Sequence, residues 1–218
     1  MALESFATVV ALGDPPLDQL ALALAGEFGA VDAEAALERL ERLGEEIASV
    51  AGGSRDPEAE VEAVRTVLGT RHGFVGDRAD YDHPDNSMLD RVLARRTGLP
   101  IVLSVVYVEA ARRAGITVAG VGLPGHFVVG HFGHVPPLLL DPFAGGTRLE
   151  VAGGGEVEPW SAHQTALRML NNLVGSYQRR HDLSRAIRAA ELRLSLPLED
   201  RDRSAFAAEL QSLRAILN

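Results

Sequence analysis

Residues 98–115 read Gly98-Leu-Pro-Ile-Val-Leu-Ser-Val-Val-Tyr-Val-Glu-Ala-Ala-Arg-Arg-Ala-Gly115, and this stretch decides the fold. Pro100 suits the first position of a helix, where its missing N–H costs nothing, and Gly115 suits the left-handed residue just past the end. Between them, apolar side chains surround the helix axis almost completely. A helix that is apolar on every side is buried, so we predict a central helix that begins at Pro100.

One polar residue, Ser104, interrupts this helix before Glu109. A helical serine often donates its hydroxyl hydrogen to the carbonyl four residues earlier, which would make Ser104 an ordinary core residue. The alternative is a reactive hydroxyl, which would need a base beside it.

Composition excludes several classes of function. The 218 residues carry a net charge of −9 at pH 7, and every cation is arginine. Because nucleic acids need clustered cations, we expect no nucleic-acid partner. The chain has no cysteine, which excludes disulfides, thiolate metal sites and a thiol nucleophile.

The sequence predicts neither a secretory signal nor a membrane span. Its start lacks the basic and long apolar regions of a secretory signal. No stretch has the roughly 20 apolar residues that a membrane span needs. We therefore expect a cytoplasmic protein with no membrane partner.

The order of elements favours an α+β fold. The first seventy residues predict a layer of amphipathic helices, and residues 70–86 are rich in loop formers. Asn86 or Ser87 is expected to cap a short helix, with Asp90 completing a capping box. After Gly115 the apolar period changes to two, which predicts short strands joined by tight turns in an antiparallel sheet.

The last part of the chain is helical again. Residues 160–218 predict a helical hairpin with a further helix, spaced as in one tetratricopeptide repeat. The glycine-rich run before it suggests two units: an α+β domain with N-terminal helices over 1–152, and a tetratricopeptide-like tail over 160–218.

A histidine and an aspartate are placed for acid–base chemistry. His126 begins one predicted strand and Asp141 ends the next, so they can lie side by side. A carboxylate that accepts from one imidazole nitrogen makes the other nitrogen a base. The alternative is that Asp141-Pro-Phe143 is merely a turn and His126 a polar residue at a strand end.

Several motifs resemble the SirB-type branch of the transglutaminase-like superfamily. They occur in the expected order over about residues 15–200, and they are Gly73-Phe-Val-Gly-Asp77, Tyr81, Asn86-Ser-Met-Leu-Asp-Arg-Val-Leu-Ala-Arg-Arg-Thr-Gly-Leu-Pro-Ile-Val-Leu-Ser-Val-Val-Tyr107, Gly120-Val-Gly-Leu-Pro-Gly-His-Phe127, Leu140-Asp-Pro-Phe-Ala-Gly-Gly146 and Arg168-Met-Leu-Asn-Asn-Leu173. The resemblance implies a papain-like α+β core: an N-terminal helical layer, a buried central helix and an antiparallel sheet, with a C-terminal helical hairpin.

The resemblance also implies a catalytic cysteine at the start of the central helix, followed by a histidine and an aspartate. In active members the helix ends at a Gly-Ile pair fifteen residues after the cysteine, and counting back from Gly115 gives Pro100. His126 and Asp141 match the other two positions. The base and its orienting carboxylate are thus kept, while Pro100 stands at the position of the nucleophile.

Two alternative sites use other residues. Ser104 lies one turn after Pro100 on the same helix face, so Ser104, His126 and Asp141 are candidates for a catalytic triad. Its position in the second turn, away from the free N–H groups, counts against this. A metal site built from His126, His131 and His134 with Asp141, or with His72 and His83 of the loop, lacks a known ligand spacing, and we expect no metal or cofactor.

The sequence therefore supports two hypotheses. In the first, the protein is a non-catalytic transglutaminase-like pseudoenzyme that binds a peptide or protein partner, with Phe74, Tyr81 and Asn86 of the loop as contacts over the His126 cleft. In the second, it is an amide hydrolase or acyltransferase that uses Ser104, His126 and Asp141. The absence of cysteine favours the first.

Overall fold

A computed structural model describes residues 3–150 and 157–217. The predicted boundary at residue 152 and the Gly153-Gly-Gly155 run lie outside these residues. The α-helices run over Phe6–Val10 (α1), Leu17–Gly26 (α2), Ala33–Ala51 (α3), Pro57–Val64 (α4), Leu89–Arg95 (α5), Pro100–Arg113 (α6), Ala162–Arg179 (α7), Leu183–Arg193 (α8) and Asp200–Leu217 (α9). A π-helical segment over Arg65–Arg71 continues α4, and a 3-10 turn over Pro84–Ser87 precedes α5.

The strands form two sheets in the described part of the chain. They run over Val75–Gly76 (β1), Thr97–Gly98 (β2), Ala119–Leu123 (β3), His126–His131 (β4), Leu138–Asp141 (β5) and Thr147–Leu149 (β6). Strands β3 to β6 pair antiparallel in chain order, as the sequence predicts.

The small second sheet is a parallel pair that the sequence did not predict. Val75 pairs with Thr97, and Gly76 pairs with Gly98. Because β2 leads directly into α6, this pair fixes the loop after β1 beside the N-terminus of the central helix.

Helix α6 is buried, as its pattern predicts. Its start at Pro100 is confirmed, and Gly115 takes the left-handed conformation just past its end, with φ +75°. Residues of α6 and of the C-terminal helices α7 and α8 belong to one continuous apolar cluster. The α+β architecture is therefore confirmed, with the C-terminal helices packed on the same core.

The capping box expected before α5 is wrong. Met88 is the N-cap residue of α5 and makes no side-chain cap. Ser87 instead ends the preceding 3-10 turn, and the amide of Asn86 bonds to other residues of the loop. In the described residues, no helix combines the length and apolar character needed to cross a membrane.

Candidate functional site

His126 and Asp141 meet at one end of the sheet. His126 begins β4 and Asp141 ends β5, its antiparallel neighbour, and His126 Nε2 lies 3.0 Å from Asp141 Oδ2. The other carboxylate oxygen, Oδ1, accepts a hydrogen bond of 2.9 Å from the backbone N–H of Phe143. The predicted adjacency of the two side chains is confirmed, and the turn after Asp141 fixes its carboxylate.

The second ring nitrogen of His126 is available to a ligand. The side chain is 29% exposed, and Nδ1 has no hydrogen-bond partner within residues 3–150 and 157–217. A histidine held by a carboxylate at one nitrogen can accept or donate a proton at the other.

The His126 ring forms one surface with two further aromatic rings. We call His126, Phe143 and Tyr81 the aromatic face. The Phe143 ring makes edge contacts with the other two, at centroid distances of 6.3 Å to His126 and 5.9 Å to Tyr81. The guanidinium carbon of Arg78 lies 5.2 Å from the Phe143 centroid. Cations are attracted to aromatic rings at this distance.

A buried hydrogen-bond network, here called the Asp77 network, fixes the loop that carries Arg78 and Tyr81. Asn86 Nδ2 donates to Asp77 Oδ2 at 3.2 Å and to the Asp80 carbonyl at 2.8 Å. Arg95 donates to Asn86 Oδ1 at 3.0 Å and to Asp77 Oδ2 at 3.1 Å. Because every polar atom of the Asn86 amide is used, the loop has a defined conformation.

These contacts also change the acidity of Asp77. Its Oδ1 accepts from the backbone N–H groups of Asp80 and Ala79. The bond from Asp80 is the largest cause that lowers the Asp77 pKa below its ordinary 3.8, and Asn86, Ala79 and the Arg95 charge act in the same direction. The carboxylate is therefore stabilised in its charged form.

Helix α7 holds the same loop from outside. Arg179 pairs with the Asp82 carboxylate and Arg180 with that of Asp80, both at 2.5 Å. The Ser176 hydroxyl donates to the carbonyl of Asp82. The C-terminal helices thus support the loop that borders the aromatic face.

The three loop residues predicted as contacts take different positions. Tyr81 is 46% exposed and lies on the aromatic face. Phe74 and Asn86 are fully buried, so the expectation that their side chains contact a partner over the His126 cleft is wrong. Phe74 belongs to the apolar core, and the polar atoms of Asn86 are hydrogen-bonded within the Asp77 network.

The predicted triad with Ser104 is not assembled. Ser104 is 1% exposed, and its Oγ donates to the Pro100 carbonyl at 2.9 Å. No hydrogen bond joins it to His126 in the part of the chain that the structure describes. The expected bond to the carbonyl four residues back is confirmed, and Pro100 occupies the first helical position.

The histidines do not gather around a metal. His126 and His131 lie at opposite ends of β4, and His131 Nε2 is 2.8 Å from Glu60 Oε2. His134 contacts the Pro136 carbonyl, and His72 contacts Glu46. The described residues contain no group of three or more metal-ligating His, Asp or Glu side chains.

Sequence reasoning missed two polar neighbours of the site. Tyr107 of α6 is fully buried, near enough to Asp141 for that charge to act on it, and its hydroxyl has no hydrogen-bond partner among the described residues. Burial, followed by the nearby Asp141 charge, raises the Tyr107 pKa. Its position seven residues after Pro100, on the same helix face, was a usable signal. No sequence signal indicated the position of Arg78, because tertiary contacts set the loop path that places it over Phe143.

The sequence matches a family model and several known proteins. A family model described as "Transglutaminase-like superfamily" matches residues 34–188. The UPF0162 protein of Xylella fastidiosa strain 9a5c is 36% identical over 156 residues, 63% of this chain and 56% of that protein. The counterpart in strain Temecula1 is 35% identical over 182 residues, 73% of this chain and 65% of that protein.

A shorter similarity reaches a eukaryotic protein. F-box only protein 21 of Mus musculus is 38% identical over 69 residues, 32% of this chain and 11% of that protein. No solved structure matches. The chain spans less than two thirds of the length of the two Xylella relatives. With the family model covering most of the sequence, the chain belongs to the transglutaminase-like superfamily.

Proposed function

We propose that this protein is a non-catalytic transglutaminase-like module that binds a peptide segment of a partner at the aromatic face. One observation carries the proposal. His126 and Asp141 are paired at 3.0 Å, while Pro100, a residue with no nucleophilic atom and no N–H, stands where the resemblance puts the cysteine. A histidine base without a nucleophile cannot form the covalent intermediate of thiol catalysis.

The surroundings of the pair suit an extended peptide. The aromatic face offers flat apolar surface, and His126 Nδ1 offers one hydrogen-bonding atom beside it. Sites of this kind combine apolar lining with a few placed polar groups. The Asp77 network holds the bordering loop in advance, which reduces the entropy lost on binding.

The competing function is hydrolysis or acyl transfer by Ser104. A serine hydroxyl is weakly nucleophilic unless a base accepts its proton. The Ser104 hydroxyl hydrogen is directed to the Pro100 carbonyl, so catalysis would need a new rotamer and a path into the core. We also propose that the protein belongs to the SirB-type branch and is cytoplasmic. Its last helices are proposed to be tetratricopeptide-like.

Two measurements on the whole chain test it. A fluorophosphonate probe, which reacts with activated serines, is expected to leave the protein unlabelled. Binding of a fluorescein-labelled pool of short mixed-sequence peptides is expected to weaken about tenfold in His126→Ala, corresponding to one lost hydrogen bond with its ring contact. His134→Ala, in the turn after the far end of β4, is the matched control and is expected to bind as the wild type does.

Either result can contradict the proposal. Equal binding by the wild type and His126→Ala, or no binding of the pool, would remove the peptide-binding role. Labelling by the probe that disappears in Ser104→Ala would favour the hydrolase.

A further inference from the structure

Two arginines beside the aromatic face have no acidic partner. In residues 3–150 and 157–217, neither Arg78 nor Arg168 has a carboxylate within ion-pair distance. In a chain with a net charge of −9, acidic side chains are in excess. The lack of an ion-pair partner at these two arginines therefore does not arise from a shortage of carboxylates.

The acidic residues of the same loop are already engaged. Asp77 pairs with Arg95, Asp80 with Arg180 and Asp82 with Arg179. Each cation of the Asp77 network and of the α7 contacts thus has its own carboxylate. Arg78 belongs to this loop, yet its guanidinium lies over the Phe143 ring and is exposed to solvent.

Arg168 lies on α7, the helix that contacts the loop carrying Tyr81. It precedes Arg179, which pairs with Asp82, by eleven residues or about three turns of α7, so the two arginines lie on the same face of the helix. Burial raises the Tyr81 pKa, and the positive charge of Arg168 partly opposes this rise. Arg78 thus lies over the Phe143 ring that contacts Tyr81, and Arg168 lies near enough for its charge to act on Tyr81.

We propose that Arg78 and Arg168 make the aromatic face selective for an acidic peptide, in which a carboxylate side chain meets the arginines and a neighbouring apolar side chain packs on Tyr81 and Phe143. This inference rests on the proposed function. An arginine held against a ring keeps its N–H donors free for a carboxylate. Two such cations are too few for a nucleic acid, whose affinity depends on many phosphate contacts.

The test uses two fluorescein-labelled pools of short peptides made from Gly, Ala, Leu and Phe. One pool has glutamate at two fixed central positions, and the other has glutamine there. Fluorescence anisotropy is expected to show about tenfold tighter binding of the glutamate pool by the wild type. In Arg78→Gln and in Arg168→Gln, that preference is expected to fall below about threefold.

Arg201→Gln is the matched control, because Arg201 is an exposed arginine of α9. It removes the same charge and is expected to leave the preference unchanged. Circular dichroism of each variant checks folding, and Arg78→Lys, which keeps the charge, is expected to retain part of the preference.

The outcomes separate the two proposals. Equal binding of both pools, weakened by His126→Ala, would overturn acid selectivity and leave peptide binding in place. Failure of both pools to bind would overturn both. An equal loss in Arg201→Gln, or tighter binding of a labelled single-stranded oligonucleotide than of the glutamate pool, would also overturn the selectivity.

Discussion

The Phe143 ring lies directly against the backbone of Gly76, so that a Cβ atom on Gly76 would be 2.1 Å from Cδ2 of the ring. Separations under 3.0 Å are essentially never seen for real Cβ atoms. Glycine at this position therefore lets the ring reach both His126 and Tyr81.

A Gly76→Ala variant should displace the Phe143 ring and disrupt the aromatic face. We expect a loss of about 1–3 kcal/mol in the free energy of unfolding, as for other overpacked sites. Binding of the mixed peptide pool should weaken as well. Urea unfolding and anisotropy measure the two effects.

Gly13→Ala is the control for this substitution, since nothing lies within 4 Å of a Cβ at Gly13. If Gly76→Ala were as stable and bound peptide as well as Gly13→Ala, the ring contact would have no role in the site.

The Asp77 network makes a second prediction, on acid stability. Because folding lowers the Asp77 pKa below 3.8, the folded state binds fewer protons than the unfolded state in the range between the two pKa values. The stabilisation is present above the unfolded value and is lost as pH falls through the folded value. Asp77→Asn should cost about 1–3 kcal/mol at neutral pH, with the difference from wild type shrinking below about pH 4.

Urea unfolding at a series of pH values measures this difference. Asp202→Asn, in the exposed first turn of α9, is the charge-matched control and should change stability little at any pH. A difference between wild type and Asp77→Asn that does not vary with pH would contradict the assigned contacts.

A third prediction concerns the buried His131–Glu60 pair. The N–H of Gly133 donates to His131 Nδ1 at 3.1 Å, so the ring carries its proton on Nε2 and donates it to Glu60. Glu60→Ala leaves that buried donor without its acceptor and should lower the free energy of unfolding by about 2–3 kcal/mol. Thermal and urea unfolding measure the loss.

Glu60→Gln keeps an oxygen acceptor and should cost less than half as much. Equal losses in the two variants would show that packing, and not the hydrogen bond, joins α4 to β4.

A fourth prediction concerns Tyr107, where a substitution is expected not to lower the free energy of unfolding. Its hydroxyl is buried and has no partner among the described residues, and such a group opposes folding. Tyr107→Phe should therefore leave stability unchanged or raise it by up to about 1 kcal/mol. Urea unfolding of the two proteins tests this, and a loss above that size would mean that the hydroxyl is hydrogen-bonded.

Local rules predicted most of the fold. Pro100 and Gly115 defined the central helix, and the change to a period of two defined the antiparallel sheet. The adjacency of His126 and Asp141 followed from their places at the two strand ends.

Tertiary contacts decided the rest. The burial of Phe74 and Asn86 depends on the parallel pairing of β1 with β2 and on Arg95, partners that no local pattern specifies. The position of Arg78 over Phe143 depends on the same loop path. His126 and His131 lie five residues apart in β4, so the alternation of strand faces directs their side chains to opposite sides of the sheet.

The central claim is that Pro100 stands where the resemblance puts the nucleophile, so that a thiol at residue 100 would lie beside the His126 base. The chain has no cysteine, so Pro100→Cys introduces a single thiol. Its titration, followed by thiolate absorbance, tests the claim directly. Ser104→Cys, one turn further along α6, is the control for a buried thiol away from the helix N-terminus.

We predict that the Pro100→Cys thiol ionises with a pKa below about 7.5, against about 8.5 for a free cysteine, because the helix N-terminus and His126 stabilise the thiolate. Adding His126→Ala should return the pKa toward the ordinary value. A thiol that titrates as in Ser104→Cys and ignores the loss of His126 would contradict the account.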